Sequence, residues 1–173
     1  MTKDVIEAIE ERRSVREFEP TPISDATIGR LIESARLAPS AGNLEPWKFI
    51  VVKKNEIKKS LAEAAVDQDF IEKAPVCIVV CAEPERSMAR YGERGASLYC
   101  LQDTAAAVQN ILLTATAYGL GSCWVGAFDE QKVASILGLS SHFKPVAIIP
   151  IGYPAEEPEI IPRRPVEETT LVM

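Results

Sequence analysis

Apolar residues first recur at helical spacing at Val5, Ile6 and Ile9, which predicts an N-terminal helix ending near Arg13. Pro20 and Pro22 then impose a turn. Ser24 is a favourable N-cap for a second helix carrying Leu31, Ile32, Ala35 and Ala38, and Pro39 ends it by excluding helical geometry at the residue before it. Residues 47–52 are aromatic and β-branched, the composition of a strand. A charged amphipathic helix follows over about 56–65, and the apolar run 76–81 reads as a buried strand. The longest helix is expected over 96–117, where Ala105-Ala106-Ala107 lets another helix approach closely, and Gly119 and Gly121 end it. Residues 122–125 read as a short strand, Asp129 as the cap of a helix reaching Leu137, and 145–151 as a fourth strand. Pro154, Pro158, Pro162 and Pro165 exclude regular helix from the last segment, leaving an extended tail over 153–173.

Composition narrows the classes. At 173 residues, 47% hydrophobic and 25% charged, the chain suits a single domain with a sizeable core, expected to span 1–173. A net charge of −6 argues against a nucleic-acid partner, which would need a basic surface. The longest apolar stretch, 104–120, is interrupted by Gln109 and Asn110 and is too polar to cross a membrane. The first residues are charged and amphipathic rather than signal-like. Cys77, Cys81, Cys100 and Cys123 form no CxxC pair, and the single histidine, His142, is distant, so no metal site and a reducing cytoplasm are expected. Against this acidic background, Arg12-Arg13-Ser14-Val15-Arg16 gathers three guanidiniums and a hydroxyl. Arginine forks match phosphate oxygens in bidentate geometry, which points to a specific phosphate ligand. The alternative is that these arginines simply meet the negative C-terminal dipole of the first helix.

Four segments carry a family resemblance: Arg12-Arg13-Ser14-Val15-Arg16-Glu17-Phe18, Ala38-Pro39-Ser40-Ala41-Gly42-Asn43-Leu44-Glu45-Pro46-Trp47, Gly119-Leu120-Gly121-Ser122-Cys123-Trp124, and Arg163-Arg164-Pro165. In this order and spacing the chain resembles the nitroreductase family of FMN-dependent oxidoreductases across essentially its whole length. The resemblance implies an α+β fold with a central, mostly antiparallel sheet of four or five strands flanked by helices. It also implies a homodimer with FMN at the subunit interface, the long Ala-rich helix at its centre and the tail wrapping the partner, and NADH or NADPH as reductant.

The resemblance assigns roles residue by residue. Arg12, Arg13, Ser14 and Arg16 would serve the flavin phosphate and carbonyl edge, with Arg16 toward N1, where a cation stabilises reduced flavin. Pro39, Ser40, Ala41 and Asn43 would run against the flavin, the alternative being an ordinary helix-to-strand turn. Glu45 replaces the glutamine common in the family, and Trp47 reads as core. Gln68, ahead of Phe70-Ile71-Glu72-Lys73-Ala74-Pro75, would meet the pyrimidine edge or else face solvent. Trp124, Val125 and Gly126 lie in the segment over the flavin face, where backbone N–H groups would approach N5; Trp124 either borders the ring or fills the core. Arg163 and Arg164 would return to the phosphate or remain solvated.

No Ser-His-Asp or Cys-His pairing is evident, and His142 reads as a surface residue, so no dedicated catalytic side chain is expected. No GxGxxG follows a strand, which fits nicotinamide and a small-molecule acceptor sharing one space in ping-pong order. Nitroaromatics or quinones are the acceptors the resemblance implies; dehalogenation, flavin breakdown and non-enzymatic flavin binding are the alternatives. The charged stretch 83–95 reads as a mobile lid or a solvated connector.

Overall fold

In the computed structural model, which describes residues 2–173, the Asp4 carboxylate accepts from the amides of Ile6 and Glu7 while Glu7 reaches back to the Asp4 amide. This reciprocal cap sets α1 (Val5–Glu11). Ser24 caps α2 (Asp25–Arg36) through the Thr27 amide, and β1 (Trp47–Val52) and α3 (Asn55–Ala64) follow. Next come a short helix, α4 (Phe70–Lys73), which the sequence pattern does not disclose, and β2 (Val76–Ala82). A helix α5 (Pro84–Arg94), broken at Gly92 (φ 60°), leads through a wide helical turn (Gly95–Tyr99) into α6 (Cys100–Ala117). The remaining elements are β3 (Gly121–Ser122), α7 (Glu130–Ile136) capped by Asp129, β4 (Lys144–Gly152) and α8 (Val166–Thr169).

The strands form one antiparallel sheet in the order β1-β2-β4-β3. Alternate residues of β2 serve opposite layers. Val76, Ile78 and Val80 meet α2 and α6, while Cys77, Val79 and Cys81 meet the α3, α4 and α7 side. All seven residues of β2 are buried, which explains its unbroken apolar run. Lys58, buried on α3, donates through Nζ to the carbonyls of Glu72 and Ala74 and so ties α3 to the end of α4. Burial pushes the Cys77 and Cys81 thiols up to about 12, leaving both protonated and inert at neutral pH.

Residues 84–94, where the sequence allows a lid or a connector, form a helix: Pro84 occupies its first turn, and Gly95 lies so close to the Ser87 carbonyl that a Cβ would clash with it. Two expectations need correction. The tail contains one helical turn, α8, because Pro165 precedes it and fixes a suitable starting backbone. The expected strand 122–125 is shorter, since β3 ends at Ser122 and only Val125 re-joins the sheet, bridging to Ile148.

Val66 and Asp67 both adopt left-handed backbone (φ 60° and 53°), and Val66 is 74% exposed, so packing does not compensate its β-branched strain. Val66→Asn is expected to stabilise the protein by about 1 kcal/mol. A raised urea midpoint at unchanged slope checks this, and an unchanged midpoint contradicts it.

Candidate functional site

After α1 the chain runs beside β3. The Val15 amide donates to the Ser122 carbonyl at 3.0 Å, and Ser14 bridges to Ser122. Val15 turns into the core, where its side chain lies against Gly121; a Cβ on that glycine would stand 2.8 Å from Val15. Neighbouring positions therefore face outward, and Arg12, Ser14 and Arg16 line one cavity of about 770 Å³ together with Arg13 and Arg163. The guanidiniums divide their work. Arg13 Nη1 donates to the carbonyls of Glu10 (2.6 Å) and Arg12 (2.9 Å), closing the C-terminus of α1. Arg12, Arg16 and Arg163 pair with no carboxylate among the described residues, and Arg16 lies 5.9 Å over the Phe70 ring.

Glu156 brings the tail to this cavity. Its carboxylate accepts from the backbone amides of Arg16 and Glu17, so Glu156 itself lines the cavity and Arg163 is carried to its edge. Arg164 is exposed and does not line it. Glu156 escaped the sequence reading, because nothing local marks a tail glutamate that binds residues about 140 positions earlier. Cys123 lies buried behind the arginine segment. Burial raises its thiol pKa, opposed by Arg16, a Ser14 hydrogen bond and Arg12.

Gln68 follows the left-handed pair Val66-Asp67. Its Nε2 donates to the carbonyls of Ala65 (2.7 Å) and Ala127 (3.2 Å), which leaves Oε1 as the open acceptor. Val125 exchanges both backbone bonds with Ile148. The amides of Trp124 and Gly126, which alternate with it, donate to no group among the described residues. Trp124 is 41% exposed and therefore borders open space rather than filling the core.

Pro39, Ser40 and Ala41 lie elsewhere, lining a separate cavity of about 390 Å³ with Tyr99, Gln102, Asp103 and Ala106. Asn43 is exposed at the end of the tight turn Ala41–Asn43. The loop holds three left-handed residues within four positions, Gly42 (φ 59°), Asn43 (φ 54°) and Glu45 (φ 51°). Buried Asp103 accepts the Ala41 amide at 3.1 Å through Oδ1, while its Oδ2 has no partner. Burial raises the Asp103 carboxyl pKa, and the Ala41 amide pulls the other way. Trp47 is half-buried against the α2–α6 core, and His142 lies on the surface 2.8 Å from Glu85. One chain thus gathers the arginines, Ser14 and Arg163 around one cavity and holds Pro39, Ser40 and Ala41 at another.

The donor set suits a phosphorylated, hydrogen-bonding ring system. Unpaired guanidiniums and a hydroxyl match phosphate, and free amides with an oriented glutamine oxygen match a heteroatom-rich edge. Among the described residues, no cluster of potential metal ligands occurs, and no helix is long and apolar enough to cross a membrane.

Known proteins bear on this arrangement. A sequence model described as the nitroreductase family matches residues 9–153. An NADH dehydrogenase of Thermus thermophilus is 35% identical over 187 residues, covering 92% of this chain and 91% of that one. An FMN reductase (NADPH) of Bacillus subtilis is 29% identical, covering 94% and 70%. Among solved structures, the NADPH:FMN oxidoreductase of Vibrio harveyi complexed with NAD+ superposes with a TM-score of 0.90 at 26% identity, covering 98% of this chain and 77% of that one.

Proposed function

The chain belongs to the nitroreductase family, and from that premise we propose that it is an FMN-dependent NAD(P)H oxidoreductase acting on nitroaromatic or quinone acceptors. The observation that carries the proposal is the cavity in which Arg12, Ser14, Arg16 and Arg163 meet without carboxylate partners for their guanidiniums. When bound, FMN would supply two-electron hydride chemistry between NADH or NADPH and the acceptor, in ping-pong order.

The residues divide the work of holding it. Arg12, Ser14 and Arg163 would hold the phosphate, and Arg13 stiffens the end of α1 that carries Arg12. Arg16 would place a cation where negative charge gathers on reduction. Gln68 Oε1 would accept from the flavin's pyrimidine edge, and the free amides of Trp124 and Gly126 would serve its ring heteroatoms, with Val125 pinned to β4 between them. Orientation rather than acid–base chemistry is the chain's contribution.

The second cavity supports completion of the site by another copy. Pro39, Ser40, Ala41 and Asn43 would meet the cofactor held by the partner's arginines. Val5, Ile6 and Ile9 on α1, and Ile160, Ile161, Leu171, Val172 and Met173 in the tail, are exposed apolar groups that a homodimer would cover. A cytoplasmic protein of one domain fits this reading.

The purified protein is expected to be yellow and to bleach anaerobically on addition of NADH or NADPH. Yellow protein that stays yellow would point to a flavin binder without this reductase activity. Colourless protein that refuses added FMN would overturn the proposal. Challenging the bleached protein with nitroaromatics, quinones and halophenols distinguishes reduction of the first two from dehalogenation.

A further inference from the structure

The strained loop 40–45 is gripped from two sides. From α6, Asp103 Oδ1 accepts the Ala41 amide at 3.1 Å. From α5, Arg86 Nε donates to the Leu44 carbonyl and Arg90 Nη1 to the Gly42 carbonyl at 3.4 Å. Within the loop, Ser40 Oγ accepts the Glu45 amide at 3.0 Å. At Gly42, a Cβ would stand 2.5 Å from the Tyr91 hydroxyl and 2.8 Å from Arg90 Nη1, so α5 is seated directly against the backbone. Left-handed Asn43 and Glu45 persist only if their surroundings over-determine them, and these contacts are what surrounds them.

We propose that Asp103, Arg86 and Arg90 form a clamp that holds loop 40–45 in its cofactor-facing conformation, making the three side chains positioning residues. Two guanidiniums take loop carbonyls and one carboxyl takes a loop amide, so both kinds of backbone group are fixed at once. The helix over 84–94 thereby acquires a function: it braces the loop from behind. The cofactor-facing part of this inference rests on the function proposed above.

Amide hydrogen exchange and FMN titration test it together, on Asp103→Ala, Asp103→Asn and the double variant Arg86→Met/Arg90→Met. Methionine keeps the stem and removes the donors, while asparagine keeps an oxygen for Ala41. In the FMN-free protein, exchange at Ala41 and its loop neighbours is expected to accelerate about tenfold in the alanine and double-methionine variants, the scale of one lost charged hydrogen bond. FMN affinity, read by fluorescence quenching, is expected to fall by a similar factor, and Asp103→Asn to stay near the parent in both readouts. Unchanged exchange and affinity in folded variants would overturn the clamp. Should Asp103→Ala fail to fold, the asparagine and methionine variants decide. If the parent protein itself refuses FMN, the cofactor reading falls and the exchange data still judge the clamp.

Discussion

Arg12→Ala is expected to weaken FMN binding by roughly 1.5–3 kcal/mol, the range for a hydrogen bond to a charged group, and so by about tenfold or more. The guanidinium lines the larger cavity and forms no ion pair among the described residues, although Glu10, Glu156 and Glu159 line the same cavity. Arg13 is the internal control. Its Nη1 already serves the Glu10 and Arg12 carbonyls, so Arg13→Ala should lower stability by about 1 kcal/mol and affect FMN less. Fluorescence titration of both variants separates the roles. Equal losses would mean that net positive charge, not the individual fork, draws the phosphate; no loss in Arg12→Ala would remove that residue from the site.

Gly121→Ala is expected to cost about 1–3 kcal/mol of stability, as overpacking does, and to weaken FMN binding as well. The new Cβ would stand 2.8 Å from Val15, which cannot retreat freely because its amide is bonded to Ser122 at 3.0 Å. Displacing Val15 moves Ser14 and Arg16 on either side of it. Adding Val15→Ala should make room and restore much of both losses, a non-additivity expected of touching residues. Urea midpoints and FMN titrations of the single and double variants measure it. Purely additive losses would show that Gly121 and Val15 do not transmit strain to the arginine segment.

The elements that spoke plainly in the sequence have strong local periodicity or caps. Ser24 and Asp129 accept the amides that start α2 and α7, and residues 47–52 form β1 as expected. Helix α5 was harder to read because Gly92 and its charges obscure it, though Pro84 in its first turn was a usable signal. Helix α4 has four residues, too few to show a period. Strand order depends on long-range pairing, which no local pattern encodes. The arginine motif is legible as a cluster of guanidiniums, but not the division between Arg13, spent on the helix end, and Arg12, left without a carboxylate partner. Asp103 carries no local mark in the sequence, since its partner Ala41 lies 62 residues away.

Strand β2 has no outward-facing position, because its successive side chains enter two different cores. Tolerance to substitution should therefore vanish over a contiguous block, 76–82, instead of alternating as it would along a half-solvated strand. Neighbouring replacements there injure different halves of the molecule: Ile78 loosens the layer carrying Asp103, and Val79 the layer beneath Gln68. A saturation screen of those few codons would hence map two separate routes by which damage in the middle of the protein reaches its edges.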